Sequence, residues 1–332
     1  PGLWAAVNVP RVAKRTVASF QIEMGIHPLL ITHVKEILDE DVRYRRITSA
    51  QAEERLDKIA QSTMGGGLGA LMPDLVAGLA QNGVEPVAIN VLYETLRDGS
   101  DLRVGDYIRK ALRRAGYSIQ RLDVTLKNGE HYSVNAWIGQ GKLGRVIEVW
   151  LDQPQVLEHL YPDPPDGDGR ARQMALLNEA GQAALELLKR DGTLKGQGWV
   201  LLENEIYASL PKPSLPGPLI AINHSILPST ILTFDKGLAE WMWGAEGITD
   251  QRGVVDWDKV SLTELHANRV RAAEGRILGV SSEHTQVLRD QIFPRHKDLI
   301  TYDDNTNGVH LDHWQGPAVR NLMLEYWARL MA

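Results

Sequence analysis

The sequence has no cysteine among its 332 residues. Disulfide frameworks, thiolate metal sites and a cysteine nucleophile are therefore excluded. It has no run near the ~18 consecutive apolar residues that a membrane-spanning helix needs. Its opening residues, Pro1-Gly2-Leu3-Trp4, lack the charged-then-apolar layout of a secretory leader. A basic surplus is missing too: 36 Lys+Arg stand against 42 Asp+Glu, a formal net charge of -6. That balance argues against nucleic acid or an anionic membrane as a partner. No internal repeat, low-complexity tract or long linker interrupts the chain. The expectation is one soluble, cytoplasmic domain.

What is present is 43% hydrophobic and 23% charged residues, an ordinary globular balance able to bury a sizeable core. Short β-branched runs alternate with longer amphipathic ones. Val17 to Glu23 reads as a strand, and Ser49 opens a polar helix. Leu68, Leu71, Leu75, Val76 and Leu79 keep helical spacing until Asn82-Gly83 stops them. Pro86 to Tyr93 is the next strand. Strand, helix, strand in this order predicts a βαβ unit and a parallel sheet. Ile119 to Leu126 alternates with period two, and Asn128-Gly129 is a hairpin signal before strands at His131 to Ile138 and Arg145 to Leu151. Asp163 to Gly169 reads as an exposed loop and Arg172 to Lys189 as a helix. Further strands fit Trp199 to Glu203, Leu219 to Asn223, Arg276 to Ser281 and Leu299 to Tyr302. The predicted fold class is α/β, a Rossmann-like parallel sheet with helices on both faces and a β-rich antiparallel insertion.

Three segments have the chemistry of a site. Gly65-Gly66-Gly67-Leu68-Gly69 stands at a helix start, where free N–H groups and the helix dipole favour an anion; tight packing or a flexible loop is the other reading. It matches neither the Walker loop nor the dinucleotide fingerprint. Asn223-His224-Ser225 leaves a strand for a loop, where open α/β sheets place ligands, although a lone histidine there also serves as a structural residue. Thr306-Asn307-Gly308 follows the last strand in the same way and by itself reads as a turn. His310 and His313 lack metal-ligand spacing, so no metal is expected. No Gly-x-Ser-x-Gly elbow occurs. The basic run Arg109 to Arg114 reads as the solvated face of a helix.

Taken in order, these segments resemble the N-terminal half of the α-glucan (glycogen, starch, maltodextrin) phosphorylases, whose fold is the two-lobed GT-B type. Ser19-Phe20-Gln21-Ile22-Glu23-Met24-Gly25 is similar to their first-strand motif, and Met64 to Leu71 to their glycine-rich loop. Asn223 to Pro228 resembles their Asn-His-Thr-x-Leu-Pro segment, and Asn305 to Val309 with Trp314 their Thr-Asn-Gly stretch. Leu160-Tyr161-Pro162-Asp163 resembles the gate loop, and Asn204-Glu205 an Asn-acid pair near the sugar. The likeness runs from about residue 17 to 316, which sets residues 1–16 apart as a tail and 17–332 as the lobe, with the β-rich insertion at about 117–152.

The resemblance implies reversible transfer of a glucosyl unit from an α-1,4-glucan to phosphate. It implies that the backbone at Gly66, Gly67 and Leu68 meets phosphate and sugar. It makes His224 the catalytic position, holding the glucose 6-hydroxyl with its carbonyl toward the anomeric carbon. Asn307, Asn223, Glu205 and Asp163 would bind substrate. The implied cofactor is pyridoxal 5'-phosphate, held by a lysine of a C-terminal lobe that this chain does not contain, so the chain alone is expected to be inactive. The implied partners are an α-glucan or oligosaccharide, phosphate, that second lobe and a second copy in a homodimer. The sequence departs from the family pattern at Tyr207, Asp312 and His313. Those departures favour the alternative of a stand-alone carbohydrate-binding or regulatory module.

Overall fold

The structure is a computed structural model. It describes residues 16–21, 26–63, 67–81, 83–141, 146–162, 167–195, 199–204, 219–223, 233–243 and 259–301. The strands are β1 (Thr16–Gln21), β2 (Glu85–Leu92), β3 (Ser118–Thr125), β4 (His131–Gln140), β5 (Ile147–Asp152), β6 (Trp199–Asn204), β7 (Leu219–Ile222), β8 (Thr233–Asp235), β9 (Lys259–Ser261) and β10 (Arg276–Leu278). The helices are α1 (Pro28–Arg43), α2 (Ser49–Gln61), α3 (Gly67–Gln81), α4 (Val104–Arg114), α5 (Asp168–Arg190), α6 (Lys236–Trp243), α7 (Leu262–Ala272) and α8 (Ser282–Val287), the last continued by a π-helical turn over Leu288–Ile292.

Eight strands form one sheet in the order β10, β7, β6, β1, β2, β5, β4, β3. From β10 to β5 every pairing is parallel, and β4 and β3 add an antiparallel edge. The β-rich insertion thus extends the main sheet. The segment from Leu299 contributes a single parallel bridge, Ile277 to Ile300, in place of the expected full strand. A separate antiparallel pair, β8 with β9, was not expected from the sequence.

Two apolar layers sandwich the sheet. On one face Ala18, Phe20, Val87, Ile89 and Leu151 pack against α5 through Leu176, Leu177 and Ala180, all buried. On the other, Trp137 and Trp150 lie under α1, α2 and α4, while Ala88 meets Val76 and Ala80 of α3. The β2 strand can serve both layers because successive side chains alternate in direction. Local chemistry sets the helix ends. Pro28 occupies the first turn of α1, where its missing N–H costs nothing, and Leu30, Val34, Ile37 and Leu38 form its buried stripe. Thr48 and Gln51 close a capping box on α2. Gly83, at φ 81°, ends α3 in the left-handed region, and Val84 N–H returns to the Leu79 carbonyl at 3.2 Å. Among the described residues no helix is long and apolar enough to cross a membrane.

Candidate functional site

The chain runs β1, β2 and on to β5 on one side of β1, then crosses through α5 to β6 on the other. The reversal makes a topological switch point at the carboxyl ends of β1 and β6, the place where open α/β sheets bind ligands. Gln21 ends β1 and pairs in register with Asn204, which ends β6. Asn204 in turn pairs with Ile222, so Asn223 stands one residue past that level, its N–H donating to the Leu278 carbonyl at 3.0 Å. Four segments distant in sequence are thereby brought to one edge.

Buried amides line the sheet below this edge. Gln21 is fully buried; its Nε2 donates to Ser19 Oγ at 2.9 Å, while its Oε1 finds no hydrogen-bond partner among the described residues. Asn90 on β2 is 1% exposed, and neither of its amide atoms finds a partner among them. The β1–β2 register puts the two side chains one step past the Phe20–Ile89 pair, on the face where Ala88 packs under α3. Because α3 feeds directly back into β2, it runs antiparallel to that strand. Its Gly67 end therefore lies at the carboxyl edge. The N–H groups of a helix start plus two buried amides make a donor-rich corner, uncharged among the described residues. Such amides cost ~1–3 kcal/mol each when unpaired, so their retention in a core strand points to use. The signal was visible: Asn90 is the one amide inside the apolar run Pro86 to Tyr93.

Gly67 and Leu68 open α3 as the sequence indicated, and Asn223 is buried directly after β7. Gly66, Asp163, Glu205, His224 and Asn307 lie outside the described residues, as do Tyr207, Asp312 and His313.

Two charged clusters lie nearby. At the ends of β2 and β5, Arg109 of α4 reaches both Glu94 and Asp152; its Nε and Nη2 donate to the Asp152 carboxylate at 2.9 Å each. Trp137 Nε1 donates to Asp152 at 3.1 Å and Arg103 Nε to Glu94 at 2.8 Å. Burial alone would raise the Glu94 pKa, but the hydrogen bonds and charges of Arg109 and Arg103 outweigh it and hold the carboxyl below its ordinary value. Arg109 is therefore no part of a solvated face; it is the counter-ion of two buried acids. Deeper in the same layer, Glu148 accepts from Tyr117 Oη at 2.7 Å and from Trp150 Nε1 at 3.2 Å, with His27 Nε2 at 3.6 Å. Burial first, and then the Glu148 charge and hydrogen bond, push the Tyr117 hydroxyl pKa upward. The carboxylates of both clusters are paired within them, which makes the clusters supports for the strand ends.

Among the described residues no group of three or more His, Asp and Glu side chains is placed to hold a metal ion. The stretches that follow β2 and β5, residues 93–103 and 153–162, contain no lysine, and the described ends of β1, β6 and β7 are Gln21, Asn204 and Ile222. This donor set suits hydroxyl groups. Among these described residues no lysine is available to form a Schiff base with pyridoxal phosphate.

No family model and no curated protein sequence matches the chain. Among solved structures, the chain is similar to the catalytic domain of starch synthase IV from Arabidopsis thaliana bound to ADP and acarbose, at 14% identity and a TM-score of 0.55. The likeness covers 92% of this chain and 53% of that one, so this chain spans about half its length. An identity this low speaks for the fold: a Rossmann-like α/β sheet with an antiparallel insertion, consistent with one lobe of the GT-B type.

Proposed function

We propose that this chain is the N-terminal lobe of an α-glucan phosphorylase-like glycosyltransferase, which moves a glucosyl unit between an α-1,4-glucan and phosphate. One observation carries the reading. Three of the segments that resemble that family begin at the carboxyl ends of the neighbouring parallel strands β1, β6 and β7, and the glycine-rich one opens α3 at the same edge. A sugar in a crevice at that edge would meet Asn223, the buried Gln21 and Asn90 amides and the α3 N–H groups, and the roles that the resemblance gives His224, Glu205 and Asn307 would add to these. Uncharged donors and acceptors suit sugar hydroxyls, while the helix start suits phosphate. A second lobe would close the crevice and exclude water, and would supply the lysine for the pyridoxal phosphate that the resemblance implies.

The likeness to a synthase bound to ADP and acarbose favours a second reading, a GT-B lobe whose partner lobe takes a nucleotide sugar. One experiment separates the two. The product of the native gene is assayed for glucose 1-phosphate release from maltoheptaose and phosphate, and for glucosyl transfer from ADP-glucose. Phosphorolysis, with pyridoxal phosphate absorbance in the purified protein and none from the present chain alone, is the expected result. Transfer from ADP-glucose without phosphorolysis, or turnover by this chain alone, overturns it.

A further inference from the structure

The loop from β5 into α5, residues 153–162, is pinned along its length. The Glu94 and Thr95 N–H groups donate to the Glu158 carbonyl at 2.9 and 2.8 Å. Gln173 Nε2 donates to the His159 carbonyl at 3.1 Å, and Arg170 Nη2 to that of Pro162 at 3.2 Å. Leu157 and Leu160 anchor the loop in the core. Between this fixed loop, the start of β4 and the first turns of α5 lies a pocket of about 210 Å³.

Its lining has two characters. Tyr132, Val156 and Pro162 supply apolar surface; Gln155, Glu158 and Arg172 supply polar groups. Arg172 is already committed. Its Nε and Nη2 donate to Glu130 at 3.2 and 3.0 Å, Nη1 pairs with Asp168 at 2.5 Å, and its guanidinium lies 4.7 Å from the Trp241 ring centroid. Tyr132 Oη donates to Glu130 at 2.6 Å and keeps its own acceptor capacity. With Glu130, Asp168 and Glu158 set against Arg172 and, at the Pro162 carbonyl, Arg170, the local charge is still net negative. That repels phosphate and nucleotide. It suits a neutral ring whose hydroxyls donate to carboxylates and whose C–H face lies on an aromatic ring. The pocket is smaller than the ~300–1,000 Å³ clefts that enclose larger ligands, which limits it to about one ring.

We infer that this pocket is a second carbohydrate subsite, taking one glucosyl ring of an α-glucan against Tyr132 with hydrogen bonds to Gln155 and Glu158. In the sheet β5 stands two strands from β1, about 10 Å at ~4.8 Å per strand, so this ring is distinct from the one in the crevice. The choice of a glucan rests on the function proposed above.

The test is a titration of the ¹⁵N-labelled full chain with maltotriose, with glycerol and inorganic phosphate as controls, followed by amide shifts. Saturable maltotriose shifts at Gln155, Glu158 and Gly169, absent with both controls, are expected. Gln155 and Glu158 are exposed, so the double variant Gln155→Ala/Glu158→Ala keeps its fold by circular dichroism and weakens binding read at Gly169 about tenfold. Shifts only at the α3 start and Asn223 overturn the subsite and leave the proposed function standing. Shifts only at the pocket support the subsite and count against the crevice as the sugar site. An equal response to glycerol, binding unchanged in the double variant, or no maltotriose response anywhere overturns the subsite; the last removes the glucan reading as well.

Discussion

Arg109 Nε donates to Asp152 Oδ2 across 2.9 Å while the same guanidinium holds Glu94, so one side chain of α4 fastens the carboxyl ends of β2 and β5 together. Both acids are 3% exposed. Removing the cation leaves buried Asp152 with no charged partner and Glu94 with Arg103 alone, and breaking a buried pair in this way costs ~3–5 kcal/mol. Arg109→Ala should lose about that much stability in urea unfolding, and adding Glu94→Gln should recover part of it. A loss under about 1 kcal/mol would show that the clamp is dispensable. The pH sign follows from the depressed Glu94 pKa. Its contribution is present above the ordinary value of 4.5, is lost as pH falls through the lower folded-state value, and shrinks in Arg109→Ala, where Arg103 alone still pairs with Glu94.

His266 of α7 titrates in the other direction from a typical surface histidine. Complete burial, aided by the neighbouring Arg269, pushes its pKa from 6.5 down to about 3. The unfolded chain therefore takes up a proton that the folded chain refuses. Stability from this group is complete above pH 6.5 and falls as pH drops toward 3, by up to ~1.4 kcal/mol per unit. Urea midpoints between pH 7 and 4 should decline with a slope that His266→Gln flattens; equal slopes for both proteins would refute the assignment.

Gly181 sits in the middle of α5, where helix propensity alone favours alanine by ~1 kcal/mol. Packing opposes it. A Cβ at Gly181 would enter the Phe20 ring and stand 3.1 Å from Ile89 Cγ2. Overpacking costs of ~1–3 kcal/mol should win, so Gly181→Ala is expected to lower the thermal midpoint by several degrees. Phe20→Leu in the same chain should restore part of the loss. A stabilised Gly181→Ala would mean that α5 can shift away from the sheet at no cost.

The strands and α5 were legible because burial on a parallel sheet imposes apolar runs, and Gly83 and Gly129 mark turns that only a left-handed backbone can make. Helix α1 went unplaced although Pro28 and the spacing of Leu30, Val34 and Ile37 announce it. Trp241, at 37% exposure, has its ring stacked on by Arg172, whose position 69 residues away no local pattern encodes. The same holds for Arg109: a basic run looks identical whether it faces water or two buried acids. Sequence order, by contrast, sufficed to predict that β1, β2, β6 and β7 share one parallel sheet, because parallel strands with helical crossovers leave little topological choice.

Asn90 gives a test in which fold and function pull apart. A buried amide with neither atom partnered among the described residues burdens the core, and replacing such a group with an apolar one of similar shape is neutral or favourable. Asn90→Leu, with Ala88 and Trp150 as its near neighbours in the sheet, should therefore unfold at equal or higher urea, by up to about 1 kcal/mol. If the amide faces the sugar, maltotriose shifts at the α3 start should weaken about tenfold or more in the same variant, a polar loss of ~1.5 kcal/mol. A more stable chain with poorer sugar binding is the pattern of a residue kept for its ligand. A less stable chain with unchanged binding would instead make Asn90 part of the core packing and remove it from the site.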